Sequence, residues 1–420
     1  MYACAKWRYC ENLMINETYT LIKDEVSVKV SASAPESLRA KRIKRTGVRV
    51  YRDGCIGISG YMGEEGGPEA RKRAEAALAY KISYPGQPSA NMKRAVKFGG
   101  KPFTPQALDA EVAAILAALR RDFPQFVFSS PFIKTGTHTE ALSNSAGLDL
   151  LSAITLHEFV FIYKLASSSS IMDGWFSYAG PGYDRAAFLA YGAEVLGAHL
   201  RTVPLPAEGR LPVFFDDSEQ LVKQIFMREL GGMTFGSGGS LFSGKTGQKL
   251  FNEGFTLYNS REQDHMPFFD AEGVCGEGFN YVENGVLRAP FADKKTAAKF
   301  GFTPSGGATA EYDGTPCTSS GVMRIKSQTR TIKEMQGGEP AIFVAMASGG
   351  DFTSEGGFGT PAQVAFLLKD GKLVGRLPEL QLSSTVYDMY GKDFLGVSSD
   401  KIMPLSSNRW LGFMLDVRKT

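Results

Sequence analysis

The four histidines are the first residues to consider for chemistry, because neutral imidazole is a common metal ligand and general base. His157 and Glu158 are adjacent, as at the start of a zinc-peptidase helix motif, but no second histidine follows at the required spacing. His138 lies in a threonine-rich segment, while His199 ends a predicted helix and His265 lies in a predicted loop. No combination of these residues has ligand spacing, so the sequence does not predict a histidine-rich metal site.

The stretch Gly239–Thr246 matches the G-x-x-x-x-G-K-S/T pattern of a phosphate-binding loop. That chemistry needs a buried strand before the loop and a long helix after it, so that backbone N–H groups and the helix dipole face the phosphates. Here an amphipathic helix and a glycine-rich run precede the string, and only a short segment, Gln248–Phe251, follows it. We therefore interpret the string as a structural loop.

The sequence also shows no clear pattern for nucleophilic or acid–base catalysis. No G-x-S-x-G pattern occurs, and Cys275 lies in a glycine-rich stretch without a recognisable histidine partner. Asp264, Asp270 and Glu272 are compatible with acid–base chemistry or metal ligation, but such carboxylates are more typical of turns and helix caps. The residues by themselves therefore predict no active site.

Composition limits the class of protein. A chain of 420 residues predicts two domains, and a net charge of +3 does not favour binding to nucleic acid or membranes. The five cysteines are odd in number and show no C-x-x-C spacing, which favours a reducing compartment over a disulfide scaffold. No apolar run reaches the roughly 18 residues of a membrane helix, and the first residues do not have the pattern of a secretory signal. We therefore expect a cytoplasmic protein.

Hydrophobic periodicity predicts an α+β fold. An N-terminal α/β domain with an antiparallel sheet is expected over residues 1–203, and a mainly β C-terminal domain over 204–420. The predicted helices are Pro68–Lys81, Thr104–Asp122, Asp184–His199 and Ser218–Leu230, the last with Ser218 as its N-cap. The predicted strands are Glu25–Val30, Gly47–Ser59, separate short pieces of a meander between Phe126 and Tyr178, and several short strands towards the C-terminus.

A basic stretch, Arg39–Arg45, lies between the first two predicted strands. A nucleic-acid or targeting patch is one reading of such a run. Because acidic residues are nearly as numerous as basic ones in the whole chain, we favour a solvated strand edge or loop.

Several strings, in a consistent order, resemble the TldD/PmbA family of peptide-maturing metallopeptidases. They are Gly47–Gly54, Ser143–Gly147, Ser240–Gly247, Pro267–Gly273, Tyr281–Leu287, Thr296–Gly301, Ser305–Gly307, Ser348–Gly350 and Ala365–Lys372. The resemblance implies the family's two-domain fold, with a C-terminal domain of the TldD/PmbA type. It also implies that the string resembling a phosphate-binding loop has no nucleotide role.

Peptidases of this family carry His-Glu-x-x-x-His on a helix before the Ser240 string, and a cysteine near the C-terminus. The histidines and cysteine bind zinc, and the glutamate activates water. Counting back from Ser240, the resemblance places the motif at Lys223–Arg228, where Lys223 and Arg228 replace the histidines and Gln224 replaces the glutamate. Residues 398–420 contain no cysteine. Protonated lysine and arginine have no lone pair for Zn²⁺, so the resemblance implies the PmbA (TldE)-like branch that lacks the zinc motif.

Three functions remain open on this basis. The resemblance implies a non-catalytic subunit, without a cofactor of its own, that pairs with a TldD-like zinc peptidase and acts on extended peptides. The loss of ligands also suits a homodimeric peptide-binding or scaffold protein. A third reading is an independent hydrolase with a rebuilt site that uses Lys223, Arg228 or the carboxylates around Asp270.

Overall fold

The computed structural model describes residues 14–403 and 407–420, so Cys4 and Cys10 lie outside the described residues. The strands of the first half are β1 (Ile15–Ser31), β2 (Ala34–Arg52), β3 (Cys55–Met62), β4 (Lys93–Phe98), β5 (Phe126–Asn144), β6 (Asp149–Leu165) and β7 (Gly174–Gly180). Those of the second half are β8 (Gly209–Asp216), β9 (Leu257–Asn259), β10 (Asn280–Glu283), β11 (Val286–Leu287), β12 (Met323–Ile325), β13 (Ala341–Ala347), β14 (Asp351–Phe352), β15 (Gly357–Lys369), β16 (Lys372–Arg376), β17 (Leu380–Thr385), β18 (Phe394–Lys401) and β19 (Arg409–Lys419).

The helices are α1 (Gly67–Ala77), α2 (Pro105–Asp122), α3 (Arg185–His199), α4 (Gln220–Glu229), α5 (Gly232–Gly236), α6 (Lys294–Phe300), α7 (Ile332–Gln336) and α8 (Val386–Met389). Within the described residues, none of them is both long and apolar enough to cross a membrane. These helices and strands make the chain α+β, as its sequence predicts.

The first half forms one seven-stranded sheet with the order β3-β2-β1-β5-β6-β4, and β7 also pairs with β6. Every pairing is antiparallel except that of β4 with β6. Helices α2 and α3 pack their apolar sides into the buried cluster that covers one face of the sheet. The side chains of Thr104 and Asp184 cap these two helices.

Two predictions about the strands of this sheet are wrong. The predicted strand Gly47–Ser59 is two strands joined by a turn at Asp53 and Gly54, both of which have positive φ. The first two meander pieces, Phe126–Ser130 and His138–Asn144, are parts of one continuous strand of 19 residues, β5. Pro131 does not end it, because the pairing of β5 with β6 shifts register between Ser129 and Lys134 and no ladder N–H is required there.

The second half contains an eight-stranded sheet and a four-stranded sheet with the order β11-β10-β9-β12. Helix α4 packs against their common core, where Val222, Ile225 and Phe226 have no exposed surface. The ring of Phe226 lies within 4.7–6.0 Å of four other aromatic rings, those of Phe242, Phe251, Phe255 and Tyr390. Strands β13 and β15, whose sequence suits either a core or an interface, pair with each other and are largely buried in the core.

The two halves share apolar contacts. One buried cluster joins residues of the first sheet and of α2 and α3 to Phe214, Phe343 and Trp410 of the second half. A second cluster packs Phe268 and Phe269 against the first sheet. The predicted domain boundary between residues 203 and 204 stays a prediction.

Gly47 allows the first sheet to approach a loop of the second half. A Cβ atom at this position would lie 1.6 Å from the carbonyl oxygen of Tyr312, which is backbone and cannot rotate away. We expect Gly47→Ala to lower the unfolding free energy by about 1–3 kcal/mol through forced backbone movement, measured by urea denaturation. Gly182→Ala adds the same methyl group in open space, so it is the matched control. Equal stability of the two variants would contradict this role of Gly47.

Candidate functional site

Helix α4 carries the positions that the family resemblance assigns to the zinc motif, and it starts directly after strand β8. Its N-cap is Glu219, whose carboxylate accepts a hydrogen bond from the Leu221 N–H at 3.0 Å. The prediction of Ser218 as N-cap is therefore wrong. The hydroxyl of Ser218 instead donates to the Asp216 carboxylate at 2.6 Å and is not available to the helix.

Lys223 is only 4% exposed, an unusual position for a lysine. Its ammonium group donates to the carbonyl oxygens of Asp217, at 2.8 Å, and Met323, at 3.4 Å. Burial lowers the pKa of Lys223, while the nearby Asp217 carboxylate opposes that shift. The side chain therefore fixes the first turn of α4 to the end of β8 and to β12.

Arg228 and Gln224 face other surroundings. The Arg228 guanidinium donates to the carbonyl oxygens of Phe352 and Thr353, both at 3.0 Å, and to the Glu229 carboxylate at 2.8 Å. Gln224 is exposed. Lys223 and Arg228 therefore have different partners and do not converge on one point.

Arg324 connects two acidic residues next to Lys223. Its guanidinium is 3.1 Å from the Asp217 carboxylate and also forms an ion pair with Asp264. Asp217 is almost inaccessible and Asp264 is partly buried, with 2% and 14% of their side-chain surfaces exposed. Burial raises the pKa of Asp217 to about 6, against the opposing effects of Arg324 and of the N–H that Arg409 donates. The result is a compact network of alternating charges.

A cleft of about 200 Å³ opens beside this network, between α4 and the segment that leads into β12. Lys223, Asp264 and Arg324 contribute charged groups to its wall, and Met227 contributes an apolar one. Because each of the three charged groups already has hydrogen-bonded partners, none is a free base or nucleophile.

The residues at this site do not suit the zinc that the family resemblance implies for its peptidases. Zn²⁺ requires donors with free lone pairs, whereas Lys223 and Arg228 offer only N–H groups that are already bonded to carbonyls. Over residues 14–403 and 407–420, no three His, Cys, Asp or Glu side chains are grouped as metal ligands would be. We derive no step through a metal in this chain.

The histidines are separated from one another. His138 lies in β5 and His157 in β6, while His199 is the last residue of α3 and His265 lies in a turn, as predicted. His157 is bonded to the Thr135 hydroxyl at 3.0 Å, and burial lowers the pKa of its ring. None of these contacts resembles a catalytic arrangement.

The other candidate residues have structural partners. The Asp270 carboxylate accepts N–H bonds from Glu272, Val274 and Ala308, all at 2.9 Å, which is the turn role that its sequence favours. Cys275 is partly buried, and burial raises the pKa of its thiol.

The Ser240–Gly247 string forms turns, without the long helix that a phosphate-binding loop requires. Lys245, the lysine of that pattern, donates to the Tyr387 hydroxyl at 2.9 Å.

Sequence reasoning missed Asp217 and Arg324, which complete the network around Lys223. They are 107 residues apart in the chain, and no local pattern connects them. The adjacent acidic pair Asp216 and Asp217, directly before a predicted helix, was the only available signal.

Comparison with known proteins places this site in a family. The family profile described as the PmbA/TldA metallopeptidase C-terminal domain matches residues 208–409. A protein named as a metalloprotease from Methanothermobacter thermautotrophicus is 30% identical over 170 residues, which cover 39% of this chain and 37% of that protein. A metalloprotease from Archaeoglobus fulgidus is 24% identical over 193 residues, 44% of each chain. The matches thus span less than half the length of these relatives.

The fold extends the likeness over nearly the whole chain. The crystal structure of TldE from Thermococcus kodakarensis has a TM-score of 0.76 to this chain at 16% sequence identity, covering 97% of both chains. At that identity the structural match establishes the fold alone. The profile match shows that residues 208–409 form a C-terminal domain of the PmbA/TldA metallopeptidase family, and the structural match gives the whole chain the fold of TldE.

Proposed function

We propose that this chain is a non-catalytic, TldE-like subunit that pairs with a TldD-like zinc metallopeptidase in the cleavage or maturation of extended peptides. The observation that carries the proposal is the environment of Lys223. An ammonium group bonded to the carbonyls of Asp217 and Met323 occupies the helix position where the family resemblance expects a zinc-binding histidine. A chain built in this way needs a partner to supply the metal-activated water.

The family's metallopeptidase character supports the peptide substrate, and the cysteine pattern supports the cytoplasm as the place of action. In the proposed complex the zinc of the partner would lower the pKa of its bound water and polarise the scissile carbonyl. This chain would contribute binding surface and no reacting group. A rebuilt hydrolytic site is less well supported, because Lys223, Arg228 and Asp270 are all held by other groups.

The test is metal content and peptidase activity of the purified chain, alone and mixed with the His-Glu-x-x-x-His relative from the same genome. We expect less than stoichiometric zinc and no cleavage for the chain alone, and cleavage of unstructured peptides by the mixture. A relative whose motif glutamate is replaced by glutamine should still pair but should not cleave.

Two outcomes would overturn the proposal. Stoichiometric zinc with cleavage by the chain alone would mean that a different site exists. If the relative cleaves equally well without this chain and the two do not co-elute in size-exclusion chromatography, the homodimeric scaffold reading would replace the subunit reading.

A further inference from the structure

The basic stretch Arg39–Arg45 lies on β2, and among the described residues part of this strand has no neighbour on its outer side. Strand β3 pairs with β2 only from Arg45 to Arg52. On the same side of β2, the Gly63 N–H donates one further hydrogen bond to the Lys44 carbonyl, at 3.0 Å. Beyond that point, towards Ala34, β1 is the only strand of the described chain that pairs with β2.

The direction of the free backbone groups follows from this pairing. In an antiparallel strand the N–H and C=O of one residue point to the same side, and alternate residues point to opposite sides. Because the Lys44 carbonyl faces the β3 side, Arg42, Ala40 and Leu38 direct their backbone groups to the same open side. Across residues 14–403 and 407–420, no backbone hydrogen bond is made by these three residues on that side.

The side chains along this edge are strongly basic. Residues 34–45 contain five Lys and Arg residues against one acidic residue, Glu36. Lys41 forms an ion pair with Glu25, and Lys44 with Glu64. Arg39 and Arg42 are exposed, and within the described residues neither has a carboxylate at ion-pair distance. Within the described residues, the positive charge of Arg39 and Arg42 is therefore not neutralised by an ion pair.

We propose that the outer edge of β2 from Leu38 to Arg42 is a docking site for an acidic, extended peptide segment, which adds to the sheet as an antiparallel or parallel strand. Main-chain hydrogen bonds to Leu38, Ala40 and Arg42 supply the binding geometry, and Arg39 and Arg42 select acidic side chains. The use of this surface in peptide capture rests on the proposed function, but the binding itself requires no partner subunit.

Charge decides between the possible occupants of this edge. Cations on edge strands also protect sheets from pairing with each other. A second copy of this chain would bring a second basic edge into contact with the first, which repels it. Residues 38–43 contain no aromatic side chain for stacking on nucleic acid bases, so an acidic peptide fits this edge better.

The experiment measures fluorescence polarisation of short labelled peptides with the full, isolated chain. Because Arg39 and Arg42 lie on opposite faces of the sheet, the first probe repeats Glu-Glu-Thr-Thr, which presents glutamate on both faces of an added strand. The second probe has lysine in place of glutamate, and the third has proline in place of threonine. We expect only the acidic probe to bind. Its affinity should fall in about 0.5 M salt, because salt at that concentration screens charges that are more than a few ångströms apart. Prolines remove the N–H donors that a strand needs, so the third probe should not bind.

Two variants test the surface. Arg39→Glu combined with Arg42→Glu is expected to weaken binding about ten-fold or more, since two surface ion pairs are lost and replaced by repulsion. Ala40→Pro removes one outward N–H at an edge position where proline is tolerated, and should weaken binding with no change in charge. The control, Lys93→Glu with Lys97→Glu, makes the same change in net charge on β4, another edge strand of the sheet with exposed lysines.

The outcomes separate the possibilities. Equal binding of acidic and proline-containing probes, or an equal loss in the β4 control, would overturn strand addition at β2. Tighter binding of single-stranded DNA than of the acidic peptide would overturn the choice of a peptide. Loss of a dimer in Arg39→Glu/Arg42→Glu would instead assign this edge to a second copy. Peptide binding without any zinc-dependent partner activity would retain this site and reject only the subunit role.

Discussion

Arg324→Met is expected to lower the unfolding free energy by about 3–5 kcal/mol, because removing one partner of a buried ion pair leaves an unpaired charge in a site of low polarity. Asp217, with 2% of its side chain exposed, would lose its ion-pair partner. Asp264 would lose its ion pair with Arg324 as well. The measurement is urea denaturation, monitored by both tryptophan fluorescence and circular dichroism. Two signals are used because the two halves share a core.

The control for this variant is Arg288→Met. Arg288 forms an ion pair of similar length with Glu283, at 2.9 Å, but both side chains are more than 40% exposed. Exposed pairs contribute about 0–1 kcal/mol, so this variant should be near wild type. Adding Asp217→Asn to Arg324→Met should recover part of the lost stability by removing the orphaned charge. If both arginine variants lose the same stability, the network around Lys223 is not a special element of the fold.

The second large effect concerns Glu272 at the contact between the two halves. Its carboxylate is 3% exposed, accepts the Lys294 N–H at 2.8 Å and is hydrogen-bonded to the Tyr84 hydroxyl. Burial, with a further contribution from Asp270, raises the pKa of Glu272 to about 7.

The sign of the resulting pH dependence follows from the raised pKa. The folded chain holds the Glu272 proton more tightly than the unfolded chain, where the pKa is about 4.3. The stabilisation is fully present below about pH 4.3 and is lost as the pH rises through about 7. Between these limits wild type should lose about 3 kcal/mol that Glu272→Gln does not lose, because glutamine keeps the acceptor oxygen without the charge.

The measurement is the unfolding free energy of wild type and Glu272→Gln at a series of pH values between about 4.5 and 8. The difference between the two curves isolates Glu272 from Asp217 and the histidines. Glu253→Gln, at a residue with 84% of its side chain exposed, should follow wild type throughout. Parallel curves for wild type and Glu272→Gln would show that the carboxylate does not control this contact.

Local patterns in the sequence determined the four longer helices and the fold class. The apolar spacing of Thr104–Asp122 and Asp184–His199, with capping residues at their starts, predicts α2 and α3 to within one residue. These features rest on contacts between residues close together in the chain, which is why a single sequence reveals them.

Strand continuity and the network around Lys223 were decided by the tertiary structure. Pro131 and Gly136 look like breaks in β5, yet the register shift accommodates the proline. The glycine is needed because a Cβ there would lie 2.3 Å from the Asp24 carbonyl oxygen of β1.

The sequence, with its family resemblance, named Lys223, Gln224 and Arg228 as the altered motif positions. It could not show that Lys223 would be bonded to Met323, 100 residues away. Such contacts depend on which strands become neighbours, and that is settled only when the whole core packs.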